Sequence, residues 1–367
     1  AMARKPDGEL KRGWTTGACA TAATKAAYTA LLTGRFPDPV TIRLPKGQEP
    51  AFALATHSLE ADSATAGVIK DAGDDPDVTH GCLIRVTVTR GEPGTGVVFV
   101  AGEGVGTVTR SGLQIPPGEA AVNPIPRQLM TDHVAEVASS HGDPGDVRLE
   151  IAIPGGVEIA KDTLNGRLGI MGGLSVLGTT GVVIPYSCAS WIHSIHRGID
   201  VAREAGMTHV AGSTGSTSEA AVKALYNLDD IALLDMGDFA GGMLKYLRDN
   251  PVDKLSIAGG FGKLAKLAQG HLDLHSGKSR VDTGFLAEVL GELGAAPEVV
   301  SRAQACETGA QVLAVARDYD LPLADVVAAR AAAVAQETAG DRVKVEVLIF
   351  DRDGSRLGSS EAVPLGA

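Results

Sequence analysis

Cysteine is scarce in this chain and is never spaced for metal or redox work. Cys19, Cys82, Cys188 and Cys306 stand far apart with no C-x-x-C among them, so neither a zinc site nor a disulfide scaffold is indicated. Long apolar runs are missing too. None approaches the roughly 20 residues that span a bilayer, and nothing at the start reads as a signal peptide. No membrane partner is expected, and cytoplasm is the expected location. Basic residues are outnumbered, with 33 Lys and Arg against 44 Asp and Glu and a net charge of −11. That balance argues against nucleic acid as a partner. It also makes any anionic ligand dependent on a few local cations.

What is present is glycine in organised places. Between Met207 and Ser276 a short apolar run ends three times in a glycine-rich turn that opens a helical segment. The turns are Gly212-Ser-Thr-Gly215, Asp235-Met-Gly-Asp238 and Gly259-Gly-Phe-Gly262. Strand, glycine turn and helix in succession is how a parallel sheet places a ligand crevice at the carboxyl ends of its strands. Backbone N–H groups at such turns suit a polar or anionic ligand. Gly212, Ser213, Thr214, Gly215, Asp235, Gly237, Asp238, Gly259, Gly260 and Gly262 are therefore the candidate cofactor contacts. Asp235 lies 20 residues beyond Gly215, where a ribose carboxylate is expected. The alternative for Asp235 and Asp238 is to cap a helix. Gly262-Lys263-Leu264 lacks the Ser or Thr of a phosphate loop, which argues against an ATPase.

Earlier in the chain, Thr15 or Thr16 is set to cap an alanine-rich helix over 21–32 that stops near Gly34. That helix start reads either as a packed cap or as a substrate contact, and Cys19 reads as a small buried residue. Short strands are expected over 40–44 and 51–56, and Leu83 to Thr89 alternates as a strand. Asp71, Asp74, Asp75 and Asp77 lack the spacing and closing glutamate of a calcium loop, so they read as a structured turn. The glycine- and proline-rich loops carrying Arg110 and Arg127 read as functional. His193 and His196, and His271 and His275, have helical spacings but no H-E-x-x-H, so no protein metal site is expected. Helices are expected over 130–139, 190–205, 285–294, 297–317 and 324–338, with a strand over 146–153.

A late alternating strand, Val343 to Phe350, needs neighbours, and the strands before residue 155 are the obvious ones. The expected fold class is an α+β N-terminal domain, residues 1–155 plus about 340–367, completed by this C-terminal strand. An α/β, Rossmann-like parallel-sheet domain, residues 156–339 with trailing helices, would be inserted in it.

The chain resembles the CbiD family of cobalt-precorrin-5B C1-methyltransferases. The resemblance rests on Gly13-Trp-Thr-Thr-Gly-Ala-Cys-Ala20, Lys70-Asp-Ala-Gly-Asp-Asp-Pro-Asp-Val-Thr79, Gly104-Val-Gly-Thr-Val-Thr109 and Ala121-Val-Asn-Pro-Ile-Pro-Arg127. Gly178-Thr-Thr-Gly181, Met236-Gly-Asp-Phe239, Gly260-Phe-Gly-Lys-Leu264 and His275-Ser276 extend it along essentially the whole chain. Many relatives carry acids where this chain has Ile184-Pro-Tyr-Ser-Cys188, so no acid–base role is given to that loop. The resemblance implies S-adenosyl-L-methionine as methyl donor and a tetrapyrrole acceptor, with cobalt only as part of that substrate. It points to Arg12, Thr15, Thr16, Lys70, Arg110, Asn123, Arg127, Lys263, His275 and Ser276 as substrate contacts, with Lys278 a further cation. No side-chain nucleophile is required, because positioning can supply the catalysis. A homo-oligomer is compatible with all of this. The competing readings are a nicotinamide-dependent oxidoreductase and a tetrapyrrole carrier.

Overall fold

In the computed structural model, residues 5–275 and 280–362 are described. The chain forms two compact units, one running to Cys188 and the other starting at Ala189.

The N-terminal unit is built on helix α1 (Thr16–Thr33) lying on a five-stranded sheet. Its strands are β1 (Thr56–Leu59), β2 (Ser63–Ile69), β3 (Leu83–Arg90), β4 (Val97–Ala101) and β5 (Val147–Ala152), in the spatial order β1-β2-β3-β5-β4. All neighbours are antiparallel except β4 and β5. Alternation in β3 sends Ile84, Val86 and Val88 inward, where each pairs with a smaller or equal residue of β2: Val68, Ala66 and Ala64. Those alanines leave room for α1, whose own alanines at 18, 20, 22, 23, 26, 27 and 30 are fully or almost fully buried. A helix buried nearly all round must be made of small residues if it is to lie this close. The hydroxyls of Thr21 and Thr24 are satisfied at 2.8 Å by the carbonyls of Gly17 and Ala20. Helix α2 (Pro124–His141) packs along α1, with Met130 and Val134 in the shared core.

The second unit is a five-stranded sheet flanked by helices. Helix α3 (Cys188–Glu204) leads into β6 (His209–Ser213), α4 (Ser216–Tyr226), β7 (Leu233–Asp235), α5 (Ala240–Asp249), β8 (Lys254–Gly259) and α6 (Phe261–Ala268). Helices Thr283–Glu292, Pro297–Gln304 and Gly309–Asp318 follow, then α7 (Leu323–Ala339), β9 (Lys344–Phe350) and β10 (Arg356–Ser359). Spatial order is β7-β6-β8-β9-β10, with β10 antiparallel and the other pairs parallel. The helix expected over 297–317 is broken at 305–308, where Thr308 and Gln311 form a capping box that starts a new helix.

Strand β9 corrects the expected architecture. It pairs in parallel with β8 over six residues, from Lys344↔Lys254 to Ile349↔Gly259. It therefore completes the parallel sheet of its own unit, and the α/β unit is not inserted in the N-terminal one. The misreading came from Lys-Val-Glu-Val, which alternates like a strand with one wet face. In the structure β9 is buried on both faces, as a parallel strand under helices is, and Glu346 is 1% exposed. Its Oε1 accepts from Tyr226 Oη (2.5 Å), Ser256 Oγ (2.6 Å) and Lys254 Nζ (3.2 Å).

Burial alone would raise the Glu346 carboxyl, but the bonds from Ser256, Tyr226 and Lys254 outweigh it and hold the group below the usual carboxylate range. A depressed folded value stabilises fully above the ordinary value of 4.5 and is lost as pH falls below it. Glu346→Gln is therefore expected to cost about 1.5–3 kcal/mol at neutral pH. Thermal melts should show the gap between variant and wild type closing below about pH 4.5. A gap independent of pH would contradict this account.

Candidate functional site

In the parallel sheet the chain order reverses between β6 and β8, and the crevice of an open α/β sheet lies at the carboxyl ends of such a pair. Ser213, Thr214 and Gly215 leave β6 there, and Gly259 and Gly260 leave β8. The two turns touch, with Thr214 N donating to Ala258 O at 3.0 Å. On the other side of β6, Asp235 ends β7 in register with Ser213, and Gly237 N donates to Ser213 O at 3.0 Å. All three expected turns thus meet at one edge.

The glycines divide into two groups. A Cβ on Gly212 would lie 2.4 Å from Met243 Sδ, and one on Gly259 would lie 2.8 Å from Thr214. Those positions need glycine for packing. A Cβ on Gly215, Gly260 or Gly262 would meet nothing within 4 Å, so these three border open space. Gly215 and Gly260 are also the N-caps of α4 and α6, and neither end has a side-chain cap. Ser213 Oγ is buried and bonds to no other group in the structure. Trp191, which sequence reasoning missed, donates its indole N–H to Asp235 O at 2.9 Å and lies against Gly237. Its only signal was its rarity, as one of two tryptophans.

Asp238 and Lys263 were expected to serve different ligands, but they form an ion pair with each other. Asp238 is largely buried, and its main-chain carbonyl accepts from Leu274 N at 2.8 Å. Lys263 is thereby committed within its own unit. His275 is exposed at the end of the described segment, and Ser276 and Lys278 lie outside the described residues. His196 stacks on Tyr246 at 4.1 Å with Nε2 3.1 Å from Gly242 O, a structural arrangement. Among the described residues no cluster of three or more His, Cys, Asp or Glu is placed to hold a metal.

In the N-terminal unit the start of α1 is gripped from three sides. Trp14 N donates to Asp71 O (2.8 Å), Thr15 N to Gly181 O (2.9 Å) and Gly17 N to Leu177 O (2.9 Å). Thr15 is the N-cap, accepting from Ala18 N at 3.1 Å. Lys70 is buried and donates to Thr79 Oγ1 (2.6 Å), Asp77 Oδ2 (2.7 Å) and Thr16 Oγ1 (3.2 Å). Burial would raise the Asp77 carboxyl, but the Lys70 ammonium outweighs it and holds it low. The other acids of this loop hold backbone: Asp71 accepts from Gly73 N, Asp74 from Lys11 N and Asp75 from Tyr186 N. Cys19 is buried beside them, and burial pushes its thiol up to about 12, which suits packing and not nucleophilic attack.

The start of α2 lies against the start of α1, since a Cβ on Gly17 would be 2.9 Å from Pro126 Cγ and 3.0 Å from Leu177 O. Thr15, Thr16 and Asn123, the α2 N-cap, are thereby brought together. Arg110 is exposed, its stem lying over Gly169, and Arg12 is exposed beside the β-bridge of Gly13.

Residues 3–185 match the CbiD family model, and residues 273–361 match the model of the CbiD C-terminal domain. A Brucella anthropi protein named cobalt-precorrin-5B C(1)-methyltransferase is 60% identical over 350 residues, 95% of this chain and 95% of that one. The Brucella canis protein of the same name is 59% identical over the same length and shares. This chain belongs to the CbiD family. A crystal structure of the cobalamin biosynthesis protein CbiD from Archaeoglobus fulgidus is similar at 26% identity, covering 70% of this chain and 78% of that one with a TM-score of 0.40. The first CbiD family match ends just short of Cys188, where the N-terminal unit also ends.

Within this CbiD chain Arg127 is a loop-holding residue. Its Nε donates to Val122 O (2.7 Å) and its Nη2 to Ala120 O (3.0 Å), Glu119 lies 3.6 Å away, and the guanidinium sits 5.1 Å from the Phe99 ring centre. A clamp for a substrate carboxylate needs that fork free, and here it is occupied. Arg127→Lys should lose one carbonyl bond and the stacked plane, lowering stability by about 1.5–3 kcal/mol in denaturant titrations. An unshifted midpoint would restore the clamp. The glycine grouping gives a second expectation: Gly212→Ala should cost about 1–3 kcal/mol through overpacking, whereas Gly260→Ala should leave the melting temperature unchanged. Equal melting temperatures for the two variants would refute the grouping.

Proposed function

We propose that this chain transfers a methyl group from S-adenosyl-L-methionine to C1 of cobalt-precorrin-5B, giving cobalt-precorrin-6A in anaerobic corrin synthesis. The identity to relatives named for that reaction, 59–60% across 95% of each chain, carries the assignment. The donor is assigned to the β6–β8 crevice. Gly215, Gly260 and Gly262 border open space there, and Asp235 stands at the end of the neighbouring strand, where a carboxylate can accept from ribose hydroxyls. The acceptor is assigned to the N-terminal unit, where the starts of α1 and α2 are held together and the guanidinium groups of Arg12 and Arg110 are exposed.

Methyl transfer to carbon is an in-line displacement. The bond from methyl to C1 forms as the bond from methyl to the sulfonium sulfur breaks, and the sulfur keeps the electron pair. No protein nucleophile is needed, so alignment of donor and acceptor supplies the catalysis. The cobalt belongs to the acceptor. No helix among the described residues is long and apolar enough to cross a membrane, in keeping with a pathway enzyme acting in the cytoplasm on a small-molecule substrate.

Calorimetric titration should show binding of S-adenosylhomocysteine and none of NADH. Asp235→Ala should weaken donor binding by about tenfold to a hundredfold, the value of a charged hydrogen-bonded contact, without unfolding the protein. Binding of NADH alone would favour an oxidoreductase, and binding of the tetrapyrrole without either would favour a carrier. Unchanged donor affinity in Asp235→Ala would remove the donor from this crevice.

A further inference from the structure

Among the described residues, all but two of the large apolar side chains that remain exposed belong to the N-terminal unit. Three of them stand around the start of α1. Leu177 is 50% exposed and Ile184 53%, while Ile125, in the first turn of α2, is 41% exposed. Backbone bonds fix their places. Leu177 O accepts from Gly17 N at 2.9 Å, and the preceding Val176 O accepts from Asn123 N at 3.1 Å, two residues before Ile125. Ile184 follows Val183, the bridge partner of Gly13, so it comes beside Arg12.

The loop carrying Leu177 is also seated tightly. A Cβ on Gly178 would lie 2.4 Å from Thr15 Oγ1, and one on Gly181 would lie 2.5 Å from Leu44. The apolar groups are thus held outward by a rigid support. The core does not need them, because Val176 and Val122 beneath are already fully buried. Several large apolar side chains kept in water around one helix start are the kind of surface that takes a ligand. Polar groups without protein partners stand at their edge. Arg12 is exposed and in no ion pair among the described residues, and the Asn123 carboxamide makes no cap bond to its own helix.

We propose that Ile125, Leu177 and Ile184 form a shelf on which the flat face of the tetrapyrrole acceptor lies, with Arg12 and Asn123 meeting its peripheral carboxylates. This rests on the methyl-transfer reading above and names the acceptor's seat. The occupant follows from complementarity. A macrocycle offers an apolar plane ringed by carboxylates, and the shelf is an apolar surface edged by a guanidinium and an amide on a chain of net charge −11. Nothing covalent happens at the shelf. It holds the ring in one orientation.

The full-length protein tests this through three variants: Leu177→Ser with Ile184→Ser, Arg12→Ala, and Asn123→Ala. The double variant should raise KM for cobalt-precorrin-5B roughly tenfold with kcat within a factor of two, as expected when uniform apolar binding is lost. Arg12→Ala should raise KM and reduce its salt dependence, and Asn123→Ala should raise KM by a few-fold. All three should keep wild-type melting temperatures and wild-type affinity for S-adenosylhomocysteine, because the altered groups are not in the core. A double variant that retains wild-type KM overturns the shelf. So does a wild-type dimer that the double variant splits into monomers, since the shelf would then be covered by a second copy. Absence of any methyl transfer by the wild-type protein would instead defeat the functional reading itself.

Discussion

The ammonium of Lys70 is out of water, and the N-terminal unit is arranged around keeping it satisfied. Isolated burial of such a charge is prohibitive. Asp77, Thr79 and Thr16 supply the carboxylate and two hydroxyls that make it tolerable, and in doing so they tie the acidic loop to the first turn of α1. The same turn accepts the Leu177–Gly181 loop through backbone bonds, and Gly13 leaves no room for a side chain against Ala72. The candidate acceptor surface is therefore a by-product of a packing solution, which gives it the rigidity that positioning chemistry needs.

The second unit meets the opposite problem. Its parallel strands are buried on both faces, so polar residues within them must find partners inside the sheet layer. Glu346 and Ser256 do so with Tyr226 and Lys254 toward the amino ends of the strands. Ser213, at the carboxyl end of β6, does not. At one end of the sheet Glu346 Oε1 takes three bonds while its Oε2 has no partner, and the other end keeps an unpartnered Ser213 hydroxyl, helix starts without side-chain caps and glycines facing open space. The uncapped helix starts and open glycines support the proposal of a ligand crevice at the carboxyl ends.

Much was legible in the residues. The alternation of Leu83 to Thr89, the alanine-rich helix, the Thr15 cap and the three glycine turns all specify local structure through period and backbone freedom, which are properties of short segments. The acidic run at Asp71–Asp77 forms a turn as read: Asp71 and Asp77 accept from backbone two residues on, while Asp74 and Asp75 reach the distant backbone of Lys11 and Tyr186. Family membership was legible as well, from many short motifs in a fixed order.

The partners of charged groups were not. Whether Lys263 serves a ligand or Asp238, whether Arg127 grips a carboxylate or the carbonyls of Ala120 and Val122, and whether Lys70 is a contact or a buried strut depend on what the fold brings within 3 Å. The sheet to which β9 belongs depended on the same thing, since a strand's sequence states its period and not its neighbour. The sequence by itself determined many of the elements, the glycine turns and the family. Only the tertiary structure decided which charges were already paired, because the partner a charged side chain meets is set by how the chain folds back and has no signature in residue type or period.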